Sequence, residues 1–132
     1  VSVWMEQKSR QAVWRVYRSI SMLSIQIEWS KEKFELNVVG HAGYAEHGKD
    51  IVCAAVSVIV GMLANEIENH EEMYPGQQVE VKSGLAMIHT AYRSKLRANI
   101  VFDMVVDALL ALEEQYPEYI KILISKTMGV WG

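Results

Sequence analysis

A chain of 132 residues is long enough for one domain built around a single hydrophobic core. Hydrophobic residues make up 51% of it, charged residues 22%, and the net charge is −3, so nothing predicts nonspecific attraction to nucleic acid or to a membrane. The single cysteine, Cys53, excludes an intrachain disulfide and is typical of a reducing, cytoplasmic setting.

Two alternating segments predict a β-hairpin in the first third of the chain. Apolar residues occupy every second position of the first segment, at Leu23, Ile25, Ile27 and Trp29. Residues 34–39 alternate again after a polar turn. Residues 1–18, which precede the hairpin, are basic and aromatic, and we expect an extension that packs as a helical arm or touches RNA.

A helix is predicted to follow from Asp50, a residue type favoured at N-caps. Apolar residues recur at helical spacing as far as Ile67. Its apolar run, Ile51 to Ala64, is too short to span a bilayer, so we expect a central core helix and no membrane partner.

The second half of the chain repeats this order of elements. A second hairpin has Val79 and Val81 in its first strand and Ser83-Gly84 in its turn. Residues 98–115 form a second helix, and Pro117 suits the start of a short helix over 118–120. The order β-β-α-β-β-α predicts an α+β fold, a largely antiparallel four-stranded sheet with two helices on one face.

The residues that can carry chemistry concentrate in one stretch, residues 40–57, with the sequence GHAGYAEHGKDIVCAAVS. Cys53 falls in the first helical turn, where the helix dipole favours a thiolate nucleophile. His41, at the end of the preceding strand, is the candidate general base. The alternative is a buried, inert cysteine beside a histidine with a structural role.

Other residues of the stretch have supporting or competing interpretations. Asp50 is an N-cap or orients His41, and Ser57 lies one helical turn beyond Cys53. The predicted substrate loop comprises Gly40, Gly43, Tyr44, His47 and Gly48, and His47 is a second, less favoured base. A metal site at His41, His47 and Cys53 is a weaker alternative, since three ligands on a glycine-rich loop make a poor zinc site.

The same stretch resembles the signature of the ribosomal-processing cysteine proteases, the Prp family, and QYPEYI at residues 115–120 is also similar. The resemblance covers residues 19–122, which leaves 1–18 as an extension and 123–132 as a tail. It implies a His41–Cys53 dyad accompanied by Asp50 and Ser57, with no cofactor or metal.

The resemblance also implies a biological role. The family removes an N-terminal extension from the precursor of the twenty-seventh protein of the large ribosomal subunit. It cuts after an aromatic residue in a short apolar motif, and its members form homodimers. Two alternatives stay open: a non-enzymatic ribosome- or RNA-associated binding module, and a relative that processes a phage structural protein. The additional residues 1–18 and the basic run at Arg93, Lys95 and Arg97 depart from the family.

Overall fold

The structure, a computed structural model, describes residues 22–45 and 50–127. Its elements in chain order are β1 (Leu23–Ser30), β2 (Lys33–Val39), α1 (Ile51–Glu68), β3 (Gln78–Lys82), β4 (Leu85–Ala91), α2 (Lys95–Gln115) and β5 (Ile120–Thr127). The predicted extension, residues 1–18, lies outside the described residues, as do residues 128–132 of the predicted tail.

The strands form one sheet in the order β3-β4-β2-β1-β5. Both predicted hairpins are present as antiparallel pairs. Strands β2 and β4, which connect the two hairpins, are also antiparallel. Only the pair of β1 and β5, from Leu23↔Ile120 to Ser30↔Thr127, is parallel. The α+β class and the largely antiparallel sheet are confirmed, but within the described residues the sheet has five strands where the sequence predicted four.

A turn at residues 117–119, followed by the fifth strand, takes the place of the short helix predicted over residues 118–120. The Tyr119 N–H donates to the Tyr116 carbonyl at 3.0 Å, which closes a turn with Pro117 at its second position, where its fixed φ is favoured. Strand β5 then begins at Ile120 and runs to Thr127, into the segment predicted as a tail. Proline is favoured in a turn as well as at the start of a helix, and here the pairing of β5 with β1 favours the turn.

The core lies between the two helices and one face of the sheet. Alternate residues of β1 are buried, as the pattern predicted, while Gln26 and Glu28 on the other face are exposed. Phe102 of α2 stacks on Phe34 of β2 with ring centroids 4.1 Å apart and meets Trp29 edge-on at 5.5 Å. The buried residues of α1 belong to the same core cluster as those of β1 and α2, so both helices cover the same face of the sheet, as predicted.

Helix α1 is long and apolar enough to cross a membrane by length and composition alone, although the sequence predicted a run too short for that. One side of it is packed into the core through Val52, Val56, Val60, Leu63, Ala64 and Ile67. The central helix of a globular domain meets the same criterion, and the packing of α1 fits that interpretation.

The sheet also determines which segments meet at the start of α1. The last residue of β2, Val39, pairs with Leu85, the first residue of β4. Beyond that pair, the Gly40 N–H donates to the Gly84 carbonyl at 3.0 Å. The turn between β3 and β4 therefore lies against the segment that carries His41.

Candidate active site

Asp50 holds together the two segments that form the site. It is the N-cap of α1, as predicted, and its Oδ1 accepts the Cys53 N–H at 2.9 Å. Its Oδ2 accepts the Tyr44 N–H at 3.0 Å, so one carboxylate fixes both the helix start and the preceding loop. Burial alone would raise the pKa of Asp50, but the N–H groups of Cys53, Tyr44 and Ala45 outweigh it and lower that pKa.

Cys53 lies in the first turn of α1, and its side chain is partly buried. The Ala42 N–H donates to Sγ at 3.2 Å, across eleven residues of sequence. Ala42 is itself fully buried, so the backbone next to His41 is packed against the sulfur. The loop is therefore anchored at Ala42 and at Tyr44.

The pKa of Cys53 departs from the sequence-based expectation. The helix N-terminus predicted a lowered pKa, whereas the pKa is raised. Burial of the thiol is the main cause, and the negative charge of Asp50 adds to it, while the Ala42 N–H acts in the opposite direction. The resting geometry therefore favours the neutral thiol, so a proton acceptor is needed to form the nucleophile.

A cavity of about 560 Å³ brings most of the predicted site residues together. Its walls include Gly40, His41, Gly43, Asp50, Cys53 and Ser57. The side chain of His41 is exposed, whereas that of Cys53 is partly buried. The arrangement places a thiol and an imidazole on the walls of one open cavity, which suits nucleophilic catalysis.

Three predicted loop residues have a different outcome. Tyr44 turns to the α2–β5 turn, where its ring meets Tyr119 edge-on at 5.3 Å and Tyr116 at 5.8 Å. It therefore anchors the loop, and it does not line the cavity. His47 and Gly48 lie outside the described residues, so their predicted roles stay predictions.

One wall of the cavity, next to His41, is one that sequence reasoning did not assign to the site. It is the β3–β4 turn, residues 81–85, next to apolar side chains from the helix and the sheet. The apolar lining comprises Leu23, Val38, Val56, Val60, Val81 and Leu85. The Ser83-Gly84 turn itself was predicted, but only the pairing of β4 with β2 brings it to His41.

Metal binding is not supported by the described part of the chain. Within residues 22–45 and 50–127, no group of three or more His, Cys, Asp or Glu side chains is arranged to hold an ion. The weaker alternative of a site at His41, His47 and Cys53 includes one residue outside those ranges.

Known proteins resemble this chain both in sequence and in fold. The family model described as "Cysteine protease Prp" matches residues 22–121. The ribosomal processing cysteine protease Prp of Staphylococcus aureus is 26% identical over 103 residues, which cover 76% of this chain and 97% of the relative.

Two solved structures share the fold. One is the essential ribosomal processing protease Prp of S. aureus in complex with a covalently linked product peptide, with a TM-score of 0.64 and 22% identity over 79% of this chain and 100% of that one. The other is SMU.848 of Streptococcus mutans, with a TM-score of 0.61 and 28% identity over 84% of this chain and 99% of that one.

Proposed function

The chain belongs to the cysteine protease Prp family and is a cysteine protease, and on that premise we propose that Cys53 is its nucleophile and His41 its general base. The observation that carries the proposal is the position of the Cys53 thiol in the first turn of α1, on the wall of a cavity that His41 also lines. Asp50 supports the pair by fixing the helix start and the loop.

The mechanism begins with proton transfer from the Cys53 thiol to the imidazole of His41. The thiolate attacks the carbonyl carbon of the scissile peptide bond, and the imidazolium then gives its proton to the leaving amine. Water, deprotonated by His41, hydrolyses the resulting thioester and frees the thiol. Because burial and Asp50 raise the pKa of Cys53, the first proton transfer depends on His41.

Alkylation and substitution test the dyad together. Iodoacetamide at pH 7 should modify Cys53 in the native protein and remove cleavage in step with modification. Cys53→Ala should be inactive, and full cleavage by that variant would falsify the mechanism. His41→Ala should lose a factor of at least about a hundred, the usual minimum for general acid–base help, whereas His47→Ala should lose much less. The reverse ranking would move the base to His47.

The proposed substrate is a precursor of the twenty-seventh protein of the large ribosomal subunit, cut after an aromatic residue. The S. aureus relative is named as a ribosomal processing protease, which supports a ribosomal substrate. The apolar walls of the cavity support the aromatic preference, because an apolar side chain gains by leaving water there.

A peptide series tests this specificity without the whole ribosomal protein. An extended apolar peptide with phenylalanine before the cut should be cleaved, and the same peptide with aspartate at that position should be cut poorly. A carboxylate entering an apolar wall loses its hydration without gaining a partner. Equal rates for the two peptides would show that the cavity does not select an aromatic residue. Full-length precursor, incubated with wild type and with Cys53→Ala, then identifies the physiological cut.

We also propose a homodimer in the cytoplasm. Six large apolar side chains, each more than half exposed, follow one face of each helix: Ile51, Val58 and Met62 on α1, and Leu96, Ile100 and Met104 on α2. Exposed apolar patches of this kind mark protein interfaces, and a second copy would cover them. Light scattering after size exclusion should give twice the mass of the chain for wild type and a lower mass for Met62→Glu. A wild-type monomer would reject the dimer.

A further inference from the structure

The turn between β3 and β4 contacts the imidazole of His41 directly. Gly84 has a φ of +77°, and a Cβ built on it would lie 3.0 Å from His41 Nε2 and 3.4 Å from His41 Cε1. The first distance is tighter than an ordinary van der Waals contact, so the ring would have to move, whereas the second lies at the short end of ordinary contact. The imidazole of His41 therefore occupies the space that a side chain at position 84 would enter.

The contact is held in place by the backbone and not by a flexible side chain. The Gly84 carbonyl accepts the Gly40 N–H at 3.0 Å, one residue before His41. The register of β3 with β4 ends at Lys82↔Leu85, so Ser83 and Gly84 form a two-residue turn between paired strands. A turn fixed at both strands gives the exposed ring of His41 a rigid neighbour.

We propose that Gly84 is a positioning residue for His41: the absence of a side chain there lets the imidazole reach its working position, and the turn holds it there. The inference rests on the proposed role of His41 as the base. A general base works only within hydrogen-bond reach of the proton it takes, and small displacements of catalytic groups cost large factors in rate. An added Cβ would displace the ring by a few tenths of an ångström or rotate it away.

The chain supplies a matched control for the backbone strain that any substitution at Gly84 brings. Gly76 has a φ of +68°, close to that of Gly84, and a Cβ there meets nothing within 4 Å. Alanine at either position pays a similar cost for a left-handed backbone. Only at position 84 does it also meet His41, so the difference between the two variants isolates the contact.

The experiment compares wild type, Gly84→Ala and Gly76→Ala by thermal unfolding, by kcat and KM on one peptide, and by NMR of the His41 ring nitrogens. We expect both variants to lose thermal stability. Only Gly84→Ala should lose kcat, by about tenfold, with KM nearly unchanged, since ring displacement affects the chemical step. Only Gly84→Ala should shift the His41 ring signals. Equal kcat in the two variants, or unmoved ring signals, would overturn the proposal.

Two further variants keep the outcome interpretable. Asparagine adopts a positive φ more readily than alanine and still carries a Cβ. Gly84→Asn therefore replaces Gly84→Ala in the comparison if Gly84→Ala does not fold. His41→Ala separates this inference from the proposed function. If His41→Ala stays active, the assignment of the base fails, and the ring signals still decide whether Gly84 positions His41. If His41→Ala is inactive and Gly84→Ala matches Gly76→Ala, only the present inference fails.

Discussion

Replacing Asp50 by asparagine should make Cys53 more reactive and the enzyme slower. The negative charge of Asp50 helps to raise the pKa of Cys53, so its removal lowers that pKa and increases the thiolate fraction at neutral pH. Loosening of the loop exposes the sulfur and acts in the same direction, because burial is the main cause of the raised pKa. Loss of the Ala42 N–H bond acts in the opposite direction; as a cause of the Cys53 pKa it ranks above the charge of Asp50 but below burial, so the prediction depends on losing burial and charge together.

The structural cost of the same change follows from the two bonds that the carboxylate accepts. Asparagine has one acceptor oxygen, so either the Cys53 N–H or the Tyr44 N–H loses its partner. We expect Asp50→Asn to lose about 1 kcal/mol of unfolding free energy and Asp50→Ala about 2 kcal/mol, within the range for helix caps and charged hydrogen bonds. For a domain of this size, each kcal/mol corresponds to about 4 °C in Tm.

Two measurements on the same samples test the reasoning. Iodoacetamide alkylation at pH 7 should be faster in Asp50→Asn than in wild type, while peptide cleavage should fall about tenfold because the loop that carries His41 is released. Ser94→Ala is the control, because Ser94 caps α2 without a side-chain bond to the helix and should change little. Slower alkylation in Asp50→Asn would refute the electrostatic argument, and undiminished cleavage would refute the tether.

The pH dependence of stability independently checks that ionised Asp50 stabilises the folded state. The pKa of Asp50 is lowered in the folded state, so its contribution is present above the unfolded pKa of about 3.9 and is lost as pH falls through the folded value. The stability difference between wild type and Asp50→Asn should therefore shrink below about pH 4. A constant difference across the acid range would contradict an ionised Asp50 as the tether.

Tyr44→Ala should speed amide exchange in the loop and reduce cleavage several-fold, because the contact with Tyr119 is lost. Tyr44→Phe, which keeps the ring, should match wild type. Equal exchange in all three proteins would show that the ring contact does not hold the loop. The bonds of Glu66 to Arg97 are the chief cause that lowers the pKa of Glu66 to about 2, so Glu66 stabilises the protein above about pH 4.5. Wild type should therefore lose stability to urea between about pH 4.5 and about pH 2, and Glu66→Gln should lose less over that range. Parallel stability curves for the two proteins would contradict this. Phe102→Ala should cost about 3–5 kcal/mol in urea unfolding, and a loss below about 1 kcal/mol would contradict a central role in the core.

Much of the fold was predictable because its signals are local. Alternation in β1 and β2, a cap at Asp50 and a turn at Ser83-Gly84 each need only a few neighbouring residues, and the structure has all of them. The helical spacing of α1 likewise selected the buried side of that helix. Periodicity was sufficient wherever one face of an element is buried along its length.

Strand β5 was missed because its signal is weak and its partner is distant in sequence. Only Ile120 and Ile122 are buried, and the other six residues of the strand are exposed, so alternation stops almost at once. The strand pairs in parallel with β1, and a parallel pair has no hairpin turn to mark it. Pro117 predicted a short helix because proline is favoured at the start of helices as well as in turns, and the pairing of β5 with β1 favours the turn.

The pKa of Cys53 shows why a local rule also failed at the site itself. A helix N-terminus favours a thiolate, but the residue that caps this helix is an aspartate, and its charge lies beside the same thiol. Capping and thiolate formation therefore oppose each other, and burial of the thiol, the largest cause of the raised pKa, also disfavours the thiolate, while the Ala42 N–H favours it. On the proposed mechanism the conflict is resolved by proton transfer, because an imidazolium at His41 would offset the charge of Asp50 once the thiolate has formed. The loop that Asp50 tethers is also the segment that carries His41, so the group that disfavours the lone thiolate helps to place the base that produces it.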